Sequence, residues 1–395
     1  VDVISLASHL IEVPSPNLPG DERAMADAVQ SVAGSLGMGR GRVVGALAER
    51  PNVLIDLDFG PGGRTLALSG HLDTKPVGDA EWATDPFTPV VQDGYLYGLG
   101  SCDMKGAIAA MLLAAAKVAQ DPPLGGRLQL VFTADEEYGS RYGSRYLAEN
   151  RLVDADAIVI GEPGGVYGDW DAVHVVSRGI ANIYIDVKGR QGHSSLSEVN
   201  GYVSATQQMA RLLTSFASNF KPEHPVNEWG MGPTVNAGVT VSGGIGFGVV
   251  PGLATFASDI RLVPGMEREA FEKDLQNFLD QASALAMPIE SSFRFEESPR
   301  DWLPPTAVDP ASPIVHACLG AVAGVLGTEV PTGVFPGTTD ACWLQGILGI
   351  PTLPAFGPGM LERAHAADER VSVQSLHDSV PIYERVIRAF CGGDA

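Results

Sequence analysis

Up to Ile160, short continuous apolar runs alternate with segments whose apolar residues recur at three- and four-residue spacing. Met25, Val29, Val32 and Leu36 share one helical face, while Val53-Leu54-Ile55 and Leu66-Ala67-Leu68 read as short buried strands. The alanine-rich stretch Lys105–Ala119 predicts a helix, Leu128–Phe132 a strand, Arg145–Asn150 the end of a helix and Ala157–Ile160 another strand. Strands apolar throughout need cover on both faces, so the alternation predicts a mainly parallel sheet with helices on either side.

From about Ile180 the pattern changes. Ile183, Ile185 and Val187 alternate with polar neighbours as in a half-buried strand, followed by a helix carrying Met209, Leu212 and Phe216. Two further alternating strands follow, one through Val235, Ala237, Val239 and Val241, the other through Phe256, Ser258, Ile260 and Leu262. A helix with Phe271, Leu275 and Phe278 and a strand at Phe293 and Phe295 complete a βαββαβ order, the split-βαβ arrangement of a small one-sheet domain. Beyond Pro299 the first pattern resumes, with helices near Ile314–Leu326, Thr339–Gln345 and Leu376–Phe390. The expected fold is an α/β domain of residues 1–179 and 297–395, interrupted by an inserted α+β domain at 180–296. No internal repeat or low-complexity tract is found.

Of the 395 residues, 45% are hydrophobic and 18% charged, enough for packed cores and without the signature of disorder. The formal net charge of −21 disfavours nucleic acid and anionic membrane surfaces as partners, since both would be repelled. No apolar stretch approaches the roughly 18–20 residues that span a bilayer. Val1–Val13 has neither the basic start nor the cleavage site of a secretory signal, and the missing initiator Met points to trimming. Cys102, Cys318, Cys342 and Cys391 show no paired spacing, so a reducing cytoplasm is expected.

Against this background, clusters of metal-type ligands stand just after the predicted strands, at the carboxyl edge where a parallel sheet presents its ligands. Gly70-His71-Leu72-Asp73 offers an imidazole, with Asp73 spaced to accept the other ring N–H. By itself the pair reads more readily as a surface histidine beside an acid. Asp103, in Gly98-Leu99-Gly100-Ser101-Cys102-Asp103-Met104-Lys105-Gly106, stands at the mouth of the alanine-rich helix, where it is either a ligand or an N-cap. That glycine loop lacks the ending of a phosphate-binding loop and the spacing of a dinucleotide fold. Asp135-Glu136-Glu137 follows the apolar strand Leu128–Phe132, an awkward place for consecutive acids unless cations neutralise them or the loop is solvated. Gly161-Glu162-Pro163 again sets a carboxylate, or a plain turn, just past a buried strand, and His365 supplies a second imidazole on a loop.

Two zinc ions roughly 3.5–4 Å apart require a bridging carboxylate, an imidazole each and one further carboxylate each. His71, His365, Asp103, Glu137 and Glu162 supply that set, and Glu136 remains as a free carboxylate to take a proton from a bridging water. Cobalt or manganese can substitute, because nitrogen and oxygen donors discriminate poorly among divalent ions.

The ordered motifs Gly70-His71-Leu72-Asp73-Thr74, Trp82-Ala83-Thr84-Asp85-Pro86-Phe87, Asp103-Met104-Lys105-Gly106, Glu136-Glu137-Tyr138-Gly139-Ser140, Gly161-Glu162-Pro163 and Ala364-His365 span essentially the whole chain. In them the sequence resembles the dinuclear zinc amidohydrolases, which include acetylornithine deacetylase, succinyl-diaminopimelate desuccinylase, aminoacylase and the glutamate carboxypeptidases. The resemblance implies a zinc-peptidase-like catalytic domain and an inserted lid and dimerisation domain. It assigns His71 and Glu162 to one zinc, Glu137 and His365 to the other, Asp103 to the bridge, Asp73 to orienting His71, and Glu136 to the role of general base. It also implies a cis peptide at Asp103–Met104. In the inserted domain, His193 within Gly189-Arg190-Gln191-Gly192-His193-Ser194 would reach the active site of a partner subunit and stabilise an oxyanion. Asn236 and Arg261 would bind substrate, with Arg261 either gripping a carboxylate or forming a sheet-surface salt bridge. Gly337 and Thr338 resemble a substrate-holding loop. Leu99, Lys75, Ala107 and Gly248 depart from the pattern without removing a ligand. The activity this implies is amide-bond cleavage of an N-acyl amino acid by bridging hydroxide, in a cytoplasmic homodimer acting on a small carboxylate-bearing substrate. A dipeptidase or carboxypeptidase using the same metals is the alternative, and a catalytically silent binding protein is disfavoured because no ligand is missing.

Overall fold

The computed structural model describes residues 1–284 and 288–392. The chain divides into two compact units, one of Val1–Ser177 together with the segment from Thr306 onward, the other of Arg178–Pro305.

In the first unit the central sheet consists of β1 (Arg42–Val44), β2 (Asn52–Asp58), β3 (Thr65–His71), β4 (Arg127–Thr133), β5 (Ala157–Ile160) and β6 (Thr352–Leu353), in the order β1-β2-β4-β3-β5-β6. The pairs β4–β3, β3–β5 and β5–β6 are parallel. At the other edge β2 runs antiparallel to β4, and β1 antiparallel to β2. The sheet is therefore largely parallel, with an antiparallel margin that the apolar pattern did not predict. Strands β3, β4 and β5 are buried almost throughout, as their unbroken apolar runs require.

The alanine-rich helix is Gly106–Gln120, and it packs against Val3–Ile11 and the long C-terminal helix Val373–Gly392. Its alanines let neighbouring backbones approach closely, and Ala107, Ala109, Ala110, Ala114 and Ala115 are fully buried. No helix among the described residues is long and apolar enough to cross a membrane.

The second unit holds an antiparallel sheet in the order Thr234–Gly243, Leu253–Leu262, Gly179–Lys188, Glu290–Phe295. Helices Ala205–Asn219 and Arg268–Ser283 supply Leu212, Phe216, Phe271 and Leu275 to a core shared with Ile183, Ile185, Phe256 and Ile260 from the sheet. The unit extends past the expected boundary at 296 because Trp302–Leu303 adds to the strand Gly179–Lys188. A two-residue strand carries no periodicity, so alternation could not reveal it.

Candidate metal centre

The register of β3, β4 and β5 decides which side chains meet. His71 closes β3 and pairs in register with Thr133, the last residue of β4. Glu136 and Glu137 follow in a single 3₁₀ turn, Glu136–Tyr138, entered through Asp135 in the left-handed region (φ 65°). Glu162 stands just beyond β5. Parallel strands ending at one level thus bring an imidazole and carboxylates to the same edge of the sheet.

Asp103 arrives from another direction. Asp103 and Met104 are non-helical in the segment Ser101–Lys105, the Asp103–Met104 peptide is cis, and helix Gly106–Gln120 has no side-chain cap. Asp103 is therefore no N-cap. Its Oδ1 lies 2.8 Å from His71 Nε2 and its Oδ2 lies 3.0 Å from His365 Nε2. His71 Nε2 also faces Glu162 Oε1 at 3.6 Å, and His365 Nε2 faces Glu137 Oε2 at 3.2 Å. Two triads result, His71–Asp103–Glu162 and Asp103–Glu137–His365, each with donor atoms within 4.8 Å of one another and with Asp103 in common.

The electrostatics fit a pair of cations. Burial drives the Glu162 carboxyl well above the usual range, and the nearby Asp103 charge pushes the same way. Glu136 rises to about 8, first through desolvation and then through Glu137, Asp340 and Asp103, with His71 opposing. Burial would lower both imidazoles, yet hydrogen bonds to Asp103 and a second acid reverse this: His365 rises to about 10 and His71 well above its ordinary value. Without metal, the site holds protons where divalent ions would supply the charge.

Asp73 does more than the sequence expectation gives it. The closest acceptor for His71 Nδ1 is the main-chain oxygen of Asp73, at 2.9 Å, with carboxylate Oδ1 farther off at 3.5 Å. The Asp73 carboxylate also gathers the loop of β4: Oδ1 accepts the Glu136 N–H at 3.1 Å, and Oδ2 accepts the Glu137 N–H at 3.0 Å. Asn17 Nδ2 donates to the same Oδ2 at 2.9 Å, and Arg50 links Asn17 Oδ1 to Glu22.

Other contributors went unrecognised in the sequence. Glu369, only 2% exposed, accepts the N–H groups of Cys102 and Asp103 on one oxygen at 2.9 and 3.0 Å. Asp340, buried directly after the Gly337-Thr338-Thr339 loop, accepts hydroxyls from Thr133, Ser140 and Ser144 at 2.9, 2.5 and 2.6 Å. Lys75 places its Nζ 2.7 Å from Glu137 Oε2. Such partners lie up to 267 residues apart, and no local spacing announces them.

Residues 67–389 match the sequence pattern of Peptidase family M20/M25/M40. The chain belongs to this family. A succinyl-diaminopimelate desuccinylase of Caulobacter sp. (strain K31) is 30% identical over 98% of this chain and 95% of that protein. An acetylornithine deacetylase of Salmonella arizonae is 30% identical over 86% of this chain and 83% of its own length. Among solved structures, an M20 family metallo-carboxypeptidase from Sulfolobus solfataricus superposes with a TM-score of 0.78 at 19% identity, covering 99% of both chains. A dinuclear metal binding M20 peptidase from Bacillus subtilis superposes with a TM-score of 0.70 at 16% identity, covering 98% of this chain and 97% of that one. This M20 chain is a metal-dependent hydrolase of amide bonds.

The remaining M20 candidates lie in the second unit or on the Gly337 loop. His193 is exposed, and its Nδ1 faces Ser195 Oγ at 2.8 Å and the Ser195 N–H at 3.3 Å. Arg261 pairs with Asp259 at 3.1 Å, two residues along the same strand, which is the sheet-surface salt bridge considered above. Asn236 sits opposite Asp259 on the neighbouring strand. Gly337 and Thr338 precede Asp340, which binds Thr133 and Ser140 on either side of the Glu136 turn.

Proposed function

We propose that this protein is a dinuclear zinc deacylase that cleaves the amide bond of an N-acyl amino acid. The supporting observation is the pair of triads sharing Asp103, with Glu136 beside them and in neither. In this reading His71 and Glu162 hold one ion, Glu137 and His365 the other, and Asp103 both. Bound there, the ions would supply Lewis acidity and make water a nucleophile near neutral pH.

The chain's own residues do the rest. Glu136, its main chain fixed by Asp73, accepts a proton on its carboxylate and returns it to the departing amine nitrogen. His193, reaching from a partner subunit, is suited to stabilise the negative oxygen of the tetrahedral stage: the Ser195 N–H directed at Nδ1 leaves Nε2 as the ring nitrogen to donate. Asn236 and Arg261 are the candidate substrate-binding residues of the second unit, Arg261 on exchanging its Asp259 partner for a substrate carboxylate, and Gly337 and Thr338 belong to a candidate substrate-holding loop of the first. The homodimer reading draws support from the outer strand Thr234–Gly243, which exposes Val239 and Val241 by about half their surface (53% and 57%). Four free, buried cysteines agree with a reducing cytoplasm.

The test is a zinc-titrated assay across N-acetyl amino acids, N-succinyl amino acids and dipeptides. The proposal expects a preference for an N-acyl substrate; dipeptide cleavage alone would overturn it in favour of a peptidase. Glu136→Gln should retain metal and lose about 10²–10⁴-fold in kcat, and near-normal kcat would remove Glu136 from the mechanism.

A further inference from the structure

The two triads are not equivalent: among the described residues, a lysine ammonium stands at one of them and no lysine or arginine at the other. Lys75 Nζ lies 2.7 Å from Glu137 Oε2, the carboxylate oxygen that also faces His365 Nε2 at 3.2 Å. The same ammonium donates to the Glu137 main-chain oxygen at 2.8 Å, so both ends of Glu137 anchor it. Its side chain keeps 26% of its exposure, whereas Glu137 retains 3%. Among the described residues no lysine or arginine pairs with His71 or Glu162 of the other triad, where the neighbouring charges are acids and imidazole.

We infer that Lys75 selectively weakens metal binding at the Asp103–Glu137–His365 position and so widens the gap between it and the His71–Asp103–Glu162 position. The inference rests on the dinuclear reading above. A divalent ion drawing on Glu137 Oε2 meets an ammonium already bonded to that oxygen. It must displace the ammonium or share the oxygen with it, and in either case it bears the repulsion of a like charge at close range in a buried setting. The His71–Asp103–Glu162 position carries no such charge. Lys75 is thus a positioning residue that acts on metal occupancy through Glu137 and touches no reacting atom.

The test is an equilibrium zinc titration of the metal-stripped full chain against a chromophoric chelator, repeated with cobalt to read the visible spectrum of each step. Wild type should show two steps separated by about tenfold or more. Lys75→Met, which keeps the aliphatic stem, should tighten the second step, at the Asp103–Glu137–His365 position, about tenfold and leave the first within about threefold. Lys75→Arg should keep the wild-type gap, and His365→Ala should lose the second step alone. Overlapping steps in wild type, or a Lys75→Met chain in which both steps move equally or neither moves, would overturn the inference. Should Lys75→Met not fold, Lys75→Gln serves in the same comparison. A chain that binds no zinc at all would instead sink the dinuclear proposal, so the two failures are distinguishable.

Discussion

Replacing Asp73 by Asn tests whether this carboxylate organises the Glu136–Glu137 turn or merely orients His71. The carboxylate accepts three hydrogen bonds, from the Glu136 N–H, the Glu137 N–H and Asn17 Nδ2. Burial alone would raise its pKa, yet the His71 ring 3.5 Å from Oδ1 and its charge, followed by Asn17 and the Glu137 N–H, hold it below the ordinary carboxylate value, so its surroundings favour the ionised form. An asparagine has one acceptor oxygen. Set where Oδ2 now lies, it keeps Glu137 and Asn17 and turns an NH₂ group toward the Glu136 N–H, donor against donor. The reverse orientation loses two bonds. The least costly case forfeits one hydrogen bond to a charged group and leaves a part-buried N–H unsatisfied, about 2–4 kcal/mol in all. Metal affinity should fall less than the 10–100-fold typical of losing an imidazole's partner, because the Asp73 main-chain oxygen still accepts from His71 Nδ1 at 2.9 Å. Urea denaturation of the metal-free chain measures the first quantity and zinc titration the second. A stability loss under about 0.5 kcal/mol, or an affinity loss that dwarfs the stability loss, would refute the reasoning and restore His71 as the main client of the carboxylate.

Two further expectations concern proton and backbone control of the centre. With His365 raised to about 10 and His71 also raised, both imidazoles are protonated at neutral pH in the metal-free chain and must lose those protons to bind metal. The sign is that acid favours the protonated, metal-free state: filling both positions near pH 7.5 should release at least about two protons, those of the imidazoles and any held by the raised Glu162 carboxyl, and overall affinity should climb at least about a hundredfold per pH unit until the imidazoles titrate. Calorimetry in buffers of different ionisation enthalpy reads the release, and a pH-independent affinity would contradict it. Separately, Glu369→Ala should weaken zinc binding at both positions about tenfold or more, because Asp103 serves both, while Glu369→Gln, which still offers an oxygen to the Cys102 and Asp103 N–H groups, should recover most of it. Equal behaviour of the two variants in a zinc titration would count against that role.

The sequence made legible what depends on local pattern. Unbroken apolar runs marked β3, β4 and β5, and because their ends carry His71, Glu136–Glu137 and Glu162, locating the strands also located most of the centre. The period of two in Ile183, Ile185 and Val187 and the helical spacing of Leu212 and Phe216 marked the second unit's core in the same way. What remained hidden depends on pairing at a distance. An apolar run does not state the direction of its neighbour, so the antiparallel setting of β1 and β2 left no trace. Asp73 was seen as a partner for a histidine two residues away, and its larger role, with main-chain groups more than sixty residues on, was not. Asp103 shows the converse: N-cap and ligand are indistinguishable by spacing, and the non-helical backbone there, with the arrival of His365 from the far end of the chain, separates them.

One rule unites these hidden contacts. The Glu136–Glu137 turn and the Asp103 segment are held by buried acids that are not themselves in either triad. Asp73 takes the N–H groups of Glu136 and Glu137, and Glu369 takes those of Cys102 and Asp103 while its main-chain oxygen accepts the Gly98 N–H at 3.0 Å. Asp340 does the same through hydroxyls on both sides of the Glu136 turn. A carboxylate suits this work because it accepts several N–H groups at once, but it also adds negative charge around triads already crowded with acids. The arrangement therefore fixes ligand positions at the cost of mutual repulsion, and bound cations relieve that repulsion. Part of the chain's formal negative charge thus falls in the interior, where burial raises Glu369 to about 8 and Asp340 above its ordinary value, a consequence of how the ligand loops are held as well as of a solvated surface. It follows that adding metal should raise the stability of the first unit by more than ligand count alone suggests, since each ion also neutralises the acids that hold its ligands in place.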